Sequence, residues 1–262
     1  MDKLIDSIVK SLDGKTPELY TYLPYLLQDI WEIGSSSEQI IRLIKKNKIH
    51  KTYPELKVLD LGCGKGAVSI PVAKAINAKV LGIDGMPQFI EIAKEKSKEW
   101  GVEQSCAFTV DDIRVAVGGL KKKNYNLVVI CSVGPVLGNL IETLKVIENS
   151  LTPEGYVILD DAYRSQATKI KSSEYLSEKQ FFDQIALSNF MMVDSRTYDQ
   201  KEMEKSDSEI YKKIEIRAKE LVEKFPKRKA LFESYLRAQR EENYILENEV
   251  INITLLLKKK LS

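Results

Sequence analysis

The stretch Lys57-Val58-Leu59-Asp60-Leu61-Gly62-Cys63-Gly64-Lys65-Gly66 constrains this chain more than any other. Val58 to Leu61 is a short apolar run, too brief for a helix, and reads as a buried parallel strand. Three glycines then alternate with other residues, so the backbone can turn sharply and let a ligand lie against it. From Ala67 the apolar positions Val68, Ile70, Val72, Ala73 and Ile76 predict a packed helix, with Pro71 tolerable near its first turn. Strand, glycine turn and helix N-terminus together form a corner of the nucleotide-binding type. Its spacing is D-x-G-x-G-x-G, whereas the dinucleotide fingerprint G-x-G-x-x-G wants two residues before its last glycine. No G-x-x-x-x-G-K-[ST] occurs, which excludes a phosphate-cradling P-loop.

Asp60-Leu61-Gly62-Cys63-Gly64-Lys65-Gly66 resembles motif I of the class I S-adenosylmethionine-dependent methyltransferases. That resemblance implies cofactor contacts from Asp60, Gly62, Cys63, Gly64 and Gly66. One glycine loop is weak support, so the rest of the chain has to agree with it.

A chain of 262 residues, 44% apolar, can bury one sizeable core with an appended cap. A net charge of +2, with charged residues at 30% and both signs interspersed, gives no strong field for nucleic acid or an anionic membrane. Cys63, Cys106 and Cys131 are odd in number and form no C-x-x-C pair, which points to a reducing cytoplasm. Met1 to Gly14 is interrupted by charges, unlike a signal peptide. The longest apolar stretch, Leu127 to Ile141, contains Gly134, Pro135, Gly138 and Asn139 and cannot span a membrane. A soluble cytoplasmic protein is expected.

The first fifty residues read as helical. Ile5, Ile8, Val9 and Leu12 share a face that ends at Asp13-Gly14, and Thr16-Pro17 reads as an N-cap with proline in the first turn. Ser35-Ser36-Ser37-Glu38-Gln39 offers a capping box in two overlapping registers ahead of Ile40 to Ile44. Helices in this position often close over cofactor and substrate in the resembled family. Tyr25 and Trp31 would suit a cationic or planar substrate, or they are simply core. His50, the only histidine, is expected in a solvated loop and has no partner for a triad or a His-based metal site.

Lys79 to Asp84 predicts a second strand. Its terminal Asp84 lies about 20 residues past the glycine loop, where an acid can hydrogen-bond both ribose hydroxyls; a helix cap ahead of Pro87 is the competing reading. The resemblance places Gly85 and Met86 beside adenine. Ser105 to Val110 predicts a third strand ending at Asp111-Asp112-Ile113. By the resemblance Asp112 accepts from the adenine amino group with Ile113 next to the ring, although such an acidic pair also suits a turn or cap.

Asn126 to Ser132 predicts a fourth, fully apolar strand, whose end, Cys131-Ser132, falls where α/β sheets bind ligands. Cys131 reads as a strand residue whose backbone faces the cofactor, not as a nucleophile. The N-P-P-Y-like and Pro-Cys sequences that base-modifying methyltransferases carry here are missing. Leu151 to Gly155 predicts a turn, and Tyr156 to Asp160 a fifth strand. Asp160, Asp161 and Tyr163 are candidate bases, with Arg164 beside them as a candidate substrate contact; a solvated loop is the alternative. A catechol-type metal site would need a further acid where Cys131 or Ser132 stands, so no metal is expected.

Phe190 to Tyr198 and Glu249 to Lys258 predict the last two strands, and some fifty residues of helical periodicity lie between them. The expected fold is therefore a Rossmann-like, seven-stranded methyltransferase sheet, mostly parallel with an antiparallel last strand and helices on both faces. The expected division is an N-terminal helical cap over 1–50, a cofactor-binding domain over 51–198 and 249–262, and a helical insertion over 199–248 serving as lid or dimer contact. The activity the resemblance implies is in-line transfer of the sulfonium methyl of S-adenosylmethionine to N, O or C of a small molecule, giving S-adenosylhomocysteine. An RNA or protein methyltransferase is the rival enzyme. A non-catalytic cofactor-binding or scaffold module is the rival from another class.

Overall fold

The computed structural model describes residues 2–119, 125–165 and 175–260. Its centre is a seven-stranded sheet in the order β3-β2-β1-β4-β5-β7-β6. In chain order the strands are β1 (Lys57–Leu61), β2 (Lys79–Asp84), β3 (Cys106–Val110), β4 (Tyr125–Ile130), β5 (Leu151–Arg164), β6 (Phe190–Thr197) and β7 (Val250–Lys259). β1 pairs in parallel with β2 and β4, and β7 runs antiparallel to both β5 and β6. β1, β2 and β4 are apolar on both faces because helices cover both, which is why they read as continuous hydrophobic runs.

Four helices precede β1: α1 (Asp2–Ser11), α2 (Leu23–Leu26), α3 (Ser37–Lys46) and α4 (Ile49–Thr52). α5 (Ser69–Ile76) follows β1, α6 (Pro87–Glu99) follows β2 and α7 (Ile113–Gly119) follows β3. α8 (Leu140–Ile147) and α9 (Glu178–Leu187) flank β5, while α10 (Gln200–Lys224) and α11 (Lys229–Asn248) fill the connection from β6 to β7. One side of the sheet packs against α7, α8 and α9 through Val128, Val157 and Leu159, with Leu144 and Phe181 opposite. The other packs against α3, α5 and α6 through Val58, Val129 and Ile158, with Ile40, Ile70 and Ile90 opposite. A third core joins α1, α2, α10 and α11 through Val9, Leu26, Ile214 and Phe232. The N-terminal helices are thus shared out, α1 and α2 to the cap core and α3 to the sheet.

Several local expectations are corrected. The proline after Thr16 opens a 3-10 helix, Pro17–Tyr22, and the Thr16 side chain makes no capping bond. Of the two serine registers, Ser36 is the one used, accepting from Gln39 N at 3.4 Å. His50 lies half-buried in the single-turn helix α4 rather than in a loop. Leu151 to Gly155 belongs to β5, which then runs on past Asp160 to Arg164. The cause is β7: β4 pairs with β5 only as far as Leu159, but the antiparallel ladder to β7 continues to Arg164 opposite Val250.

Candidate functional site

The carboxyl ends of β3, β2, β1 and β4 lie in a row along one edge of the sheet, and a cavity runs across them. Asp111, Asp112 and Ile113 line it just past β3, Asp84, Gly85 and Met86 at the end of β2, Asp60 and the glycine turn at the end of β1, and Cys131, Ser132 and Val133 just past β4, so that Cys131, expected within the strand, falls outside it. Leu4, Ser7, Ile8 and Ser11 of α1, with Leu12 just past it, form its roof, and Trp31, Ile33 and Ser35 close one end.

The turn is shaped by bonds back to β2, with both Gly62 N and Cys63 N donating to Ile83 O, at 2.8 and 3.1 Å. Gly62, Gly64 and Gly66 all sit at positive φ, where L side chains are strained. They differ in surroundings. A Cβ on Gly66 would meet Ile70, Phe108 and Ala93, so this glycine is there for packing and does not line the cavity. A Cβ on Gly64 would meet nothing within 4 Å, because its free side faces the cavity. That is the close backbone approach a ligand needs.

Asp84 faces the same turn. Its Oδ2 accepts from Gly64 N at 2.9 Å and its Oδ1 from Met86 N at 2.8 Å, which fixes the carboxylate and leaves each oxygen a further lone pair for a hydroxyl. Asp84 is not the cap of α6, whose N-cap position is Met86 with no side-chain capping bond; its bond to Met86 N holds the turn ahead of the helix. Burial raises its pKa, and those two N–H bonds oppose the rise. Asp60 is 3% exposed and bonded by the Ser69 hydroxyl; burial, with Asp84 nearby, pushes its pKa up to about 6. At the far end the Arg114 guanidinium holds Asp112 below the usual carboxylate range through Nε and Nη2 bonds of 2.9 and 2.6 Å. Arg114 also donates to Lys3 O at 3.2 Å, tying α1 to this end.

Lys65, in the turn itself, was given no role by its sequence position. It is 3% exposed, and its ammonium donates to Leu27 O and, at 2.6 Å, to Ile30 O, with the Phe89 ring 5.1 Å away. Burial lowers its pKa to about 8. Trp31 Nε1 donates to Lys65 O at 2.9 Å, so the turn and the segment before α3 are clasped together.

The remaining candidates scatter. Trp31 lines the cavity, but Tyr25 is at the surface, donating to Glu220 at 2.6 Å. Tyr163 is core, its ring packed at an angle on Phe181 and edge-on to Phe182, and neither it nor Asp161 nor Arg164 lines the cavity. Asp160 does not line it either, but lies behind Ser35 and Cys131. β5 explains this, since a strand that continues to Arg164 points alternate residues to opposite faces. Ser35, Ile33 and the α1 residues were missed as lining residues. The spare serine ahead of the cap at Ser36 was the one signal available.

A glycine turn and three strand-end acids in sheet order 3-2-1-4-5-7-6 define a Rossmann-like methyltransferase fold. The chain belongs to the family described as methyltransferase domain, which matches residues 53–246. The structure of an S-adenosylmethionine-dependent methyltransferase from Geobacter sulfurreducens, in complex with S-adenosyl-L-homocysteine, superposes with a TM-score of 0.73 over 92% of this chain and 98% of that one. At 16% identity this likeness concerns the fold. Among curated proteins the chain is 38% identical over 121 residues to a 23S rRNA uracil C5-methyltransferase of Shewanella sediminis, covering 42% of this chain. It is 33% identical over 87 residues to a ubiquinone biosynthesis O-methyltransferase of Pelagibacter ubique, covering 33% of this chain. The chain spans 27% and 33% of those two proteins' lengths.

Proposed function

We propose that this chain binds S-adenosylmethionine along the strand-end row and transfers its methyl group in line to N, O or C of a small molecule. The observation that carries the reading is the match between the cavity floor and the order of an adenosyl amino acid. Asp112 lies at the β3 end for adenine, Asp84 at the β2 end for the ribose hydroxyls, and Asp60 and the open side of Gly64 at the β1 end for the methionine part. The cofactor supplies an electrophilic methyl on a sulfonium, so the protein has to align the acceptor and exclude water rather than provide a nucleophile.

A small acceptor is favoured because the cavity is roofed by α1 and closed at one end by Trp31 and Ser35. A net charge of +2 offers no electrostatic track for a polynucleotide. α10 and α11 contribute no cavity residue, so we assign the insertion the task of holding the roof through the shared cap core. Among the described residues no helix is long and apolar enough to cross a membrane.

Calorimetric titration with S-adenosylhomocysteine tests the cofactor. Binding in the micromolar range is expected, weakened by a factor of about 100 in Asp84→Ala through loss of charge-assisted bonds to two hydroxyls. A folded protein that binds neither cofactor nor product would overturn the reading. RNA binding with a steep salt dependence would replace the small acceptor with a polynucleotide.

A further inference from the structure

We propose that the hydroxyl pair Ser35–Ser132, backed by the Asp160 carboxyl, is the proton-accepting wall of the methyl-acceptor site. The inference rests on the cofactor reading above and adds where the acceptor stands and what takes its proton.

The first support is position. Asp112, Asp84 and Asp60 take the ends of β3, β2 and β1 in sheet order, so the next two strand ends, β4 and β5, lie beyond the ligand's aminoacyl end. Ser132 follows β4, and Asp160 leaves the β4–β5 ladder just past Leu159. An acceptor lined up on the sulfonium methyl has to enter beside these groups.

The second is how firmly the hydroxyls are held. Ser132 sits at φ 52°, a left-handed position that strains a non-glycine residue. Gly34, at φ 89°, packs so closely on it that a Cβ would lie 2.4 Å from the Ser132 hydroxyl oxygen. The two Oγ atoms are 2.8 Å apart, and Ser35 is 4% exposed although Ser36 does the capping.

The third is the acid behind them. Tyr198 donates to Asp160 Oδ2 at 2.9 Å, and the Thr254 hydroxyl bonds Tyr198 at 3.2 Å. Asp160 Oδ1 is buried and has no hydrogen-bond partner among the described residues. The Ser35 hydroxyl is near enough to hold the carboxyl's pKa down against burial, which dominates and raises it. A pair of serines acting only as a latch between the segment before α3 and β4 would not leave a buried carboxylate oxygen open behind it.

In the transfer, the acceptor's lone pair forms the bond to the methyl carbon as the carbon–sulfur pair returns to sulfur. The acceptor proton passes to Ser132 Oγ, the Ser132 proton to Ser35 Oγ, and the Ser35 proton to the Asp160 carboxylate. Charge and protons balance with no further reactant. Asp160 acts through the serines and is a positioning residue.

Sinefungin, which carries an ammonium where the transferring methyl stands, tests the wall without knowledge of the acceptor. Its dissociation constant and that of S-adenosylhomocysteine are measured by calorimetry from about pH 8 down to about pH 5, above the ordinary carboxylate range, where a carboxyl raised by burial titrates. The groups facing Asp160 are Cys131 just past β4, Tyr198 after β6, Thr254 from β7 and Ser35, with Asp161 next to it on β5. The Tyr198 and Cys131 values are pushed up by burial, out of this range. Asp60, at about 6, also titrates in this window and also attracts the ammonium, so the contribution of Asp160 is read as the difference between wild type and Asp160→Asn.

The wild type is expected to prefer sinefungin about tenfold at the high end, with the preference falling as Asp160 is protonated. Asp160→Asn should lower the ratio at the high end and make it vary less with pH, and Ser35→Ala should reduce it. Ser35→Ala interrupts the same link from a different residue, so an Asp160 variant that fails to fold leaves the test intact. If both ligands bind with a ratio that ignores both substitutions, the proposal is overturned. If neither ligand binds the folded wild type, the cofactor reading falls and takes the proposal with it.

Discussion

Asp60 and Ser69 show at the scale of one residue how the site strains the fold that carries it. Burial is the main reason the Asp60 pKa stands at about 6 in the folded chain, with Asp84 adding to the rise and Ser69 opposing it. For an acid, that means the folded state holds more protons than the unfolded state between about pH 4 and about pH 6. The stabilising contribution is complete below that window and is lost as pH rises through it. Asp60→Asn, which cannot ionise, should therefore melt higher than wild type at about pH 7.5, by up to about 3 kcal/mol of stability. The two should converge at about pH 4, while the variant binds S-adenosylhomocysteine more weakly. Thermal melts at both pH values decide it, and a variant less stable than wild type at neutral pH would sink the idea. Asp60 and Asp84 were legible in the sequence because they close short apolar strands at a fixed distance around the glycine turn. Ser35 and Lys65 were not, since their importance comes from partners 97 and about 35–38 residues away, with no local pattern to announce it.

At the scale of elements the glycine turn separates fold from function. Gly66→Ala would place a methyl 2.9 Å from Ile70 Cδ1, 3.2 Å from Phe108 Cζ and 3.3 Å from Ala93 Cβ, on a backbone at φ 77°. It should cost about 2–3 kcal/mol of stability. Gly64→Ala carries only the strain of φ 51°, about 1 kcal/mol, because its methyl points into open cavity. It should remain folded and bind S-adenosylhomocysteine at least about tenfold more weakly. Denaturant melts beside calorimetry read both effects, and equal losses of stability would refute the division of labour. The same contrast explains which elements the sequence revealed. β1, β2 and β4 are covered on both faces and carry their signature locally. The continuation of β5 through Asp160–Arg164 depends on β7, which lies some ninety residues further along the chain, so the segment looked like a loop and its residues like a site. Tyr163 looked like a site residue for that reason, and its ring contacts with Phe181 and Phe182 place it in the core.

At the scale of the whole molecule, the cap is an assembly of pieces from both ends of the chain placed over a site built from its middle. α1 roofs the cavity and is held by distant groups: Val9 in the core with Phe232 and Leu221, Lys3 O bonded by Arg114, and Asp13, just past the helix, bonded by Gln239 at 2.7 Å. Those anchors are modest for a ten-residue helix, since only Val9 is fully buried among its described side chains. Short helices owe their stability to the surface they pack against. A ligand lying beneath Leu4, Ile8 and Leu12 would give α1 a second apolar surface to cover. We therefore expect S-adenosylhomocysteine to slow amide hydrogen exchange in residues 3–12 and 27–36 by about tenfold or more. α8 and α9, packed on the sheet away from the cavity, should change little. Exchange followed by mass spectrometry with and without the ligand measures this directly. Equal protection everywhere would mean global stabilisation by mass action alone, and unchanged exchange in α1 would mean that the helix covers the cavity without sensing what lies inside it.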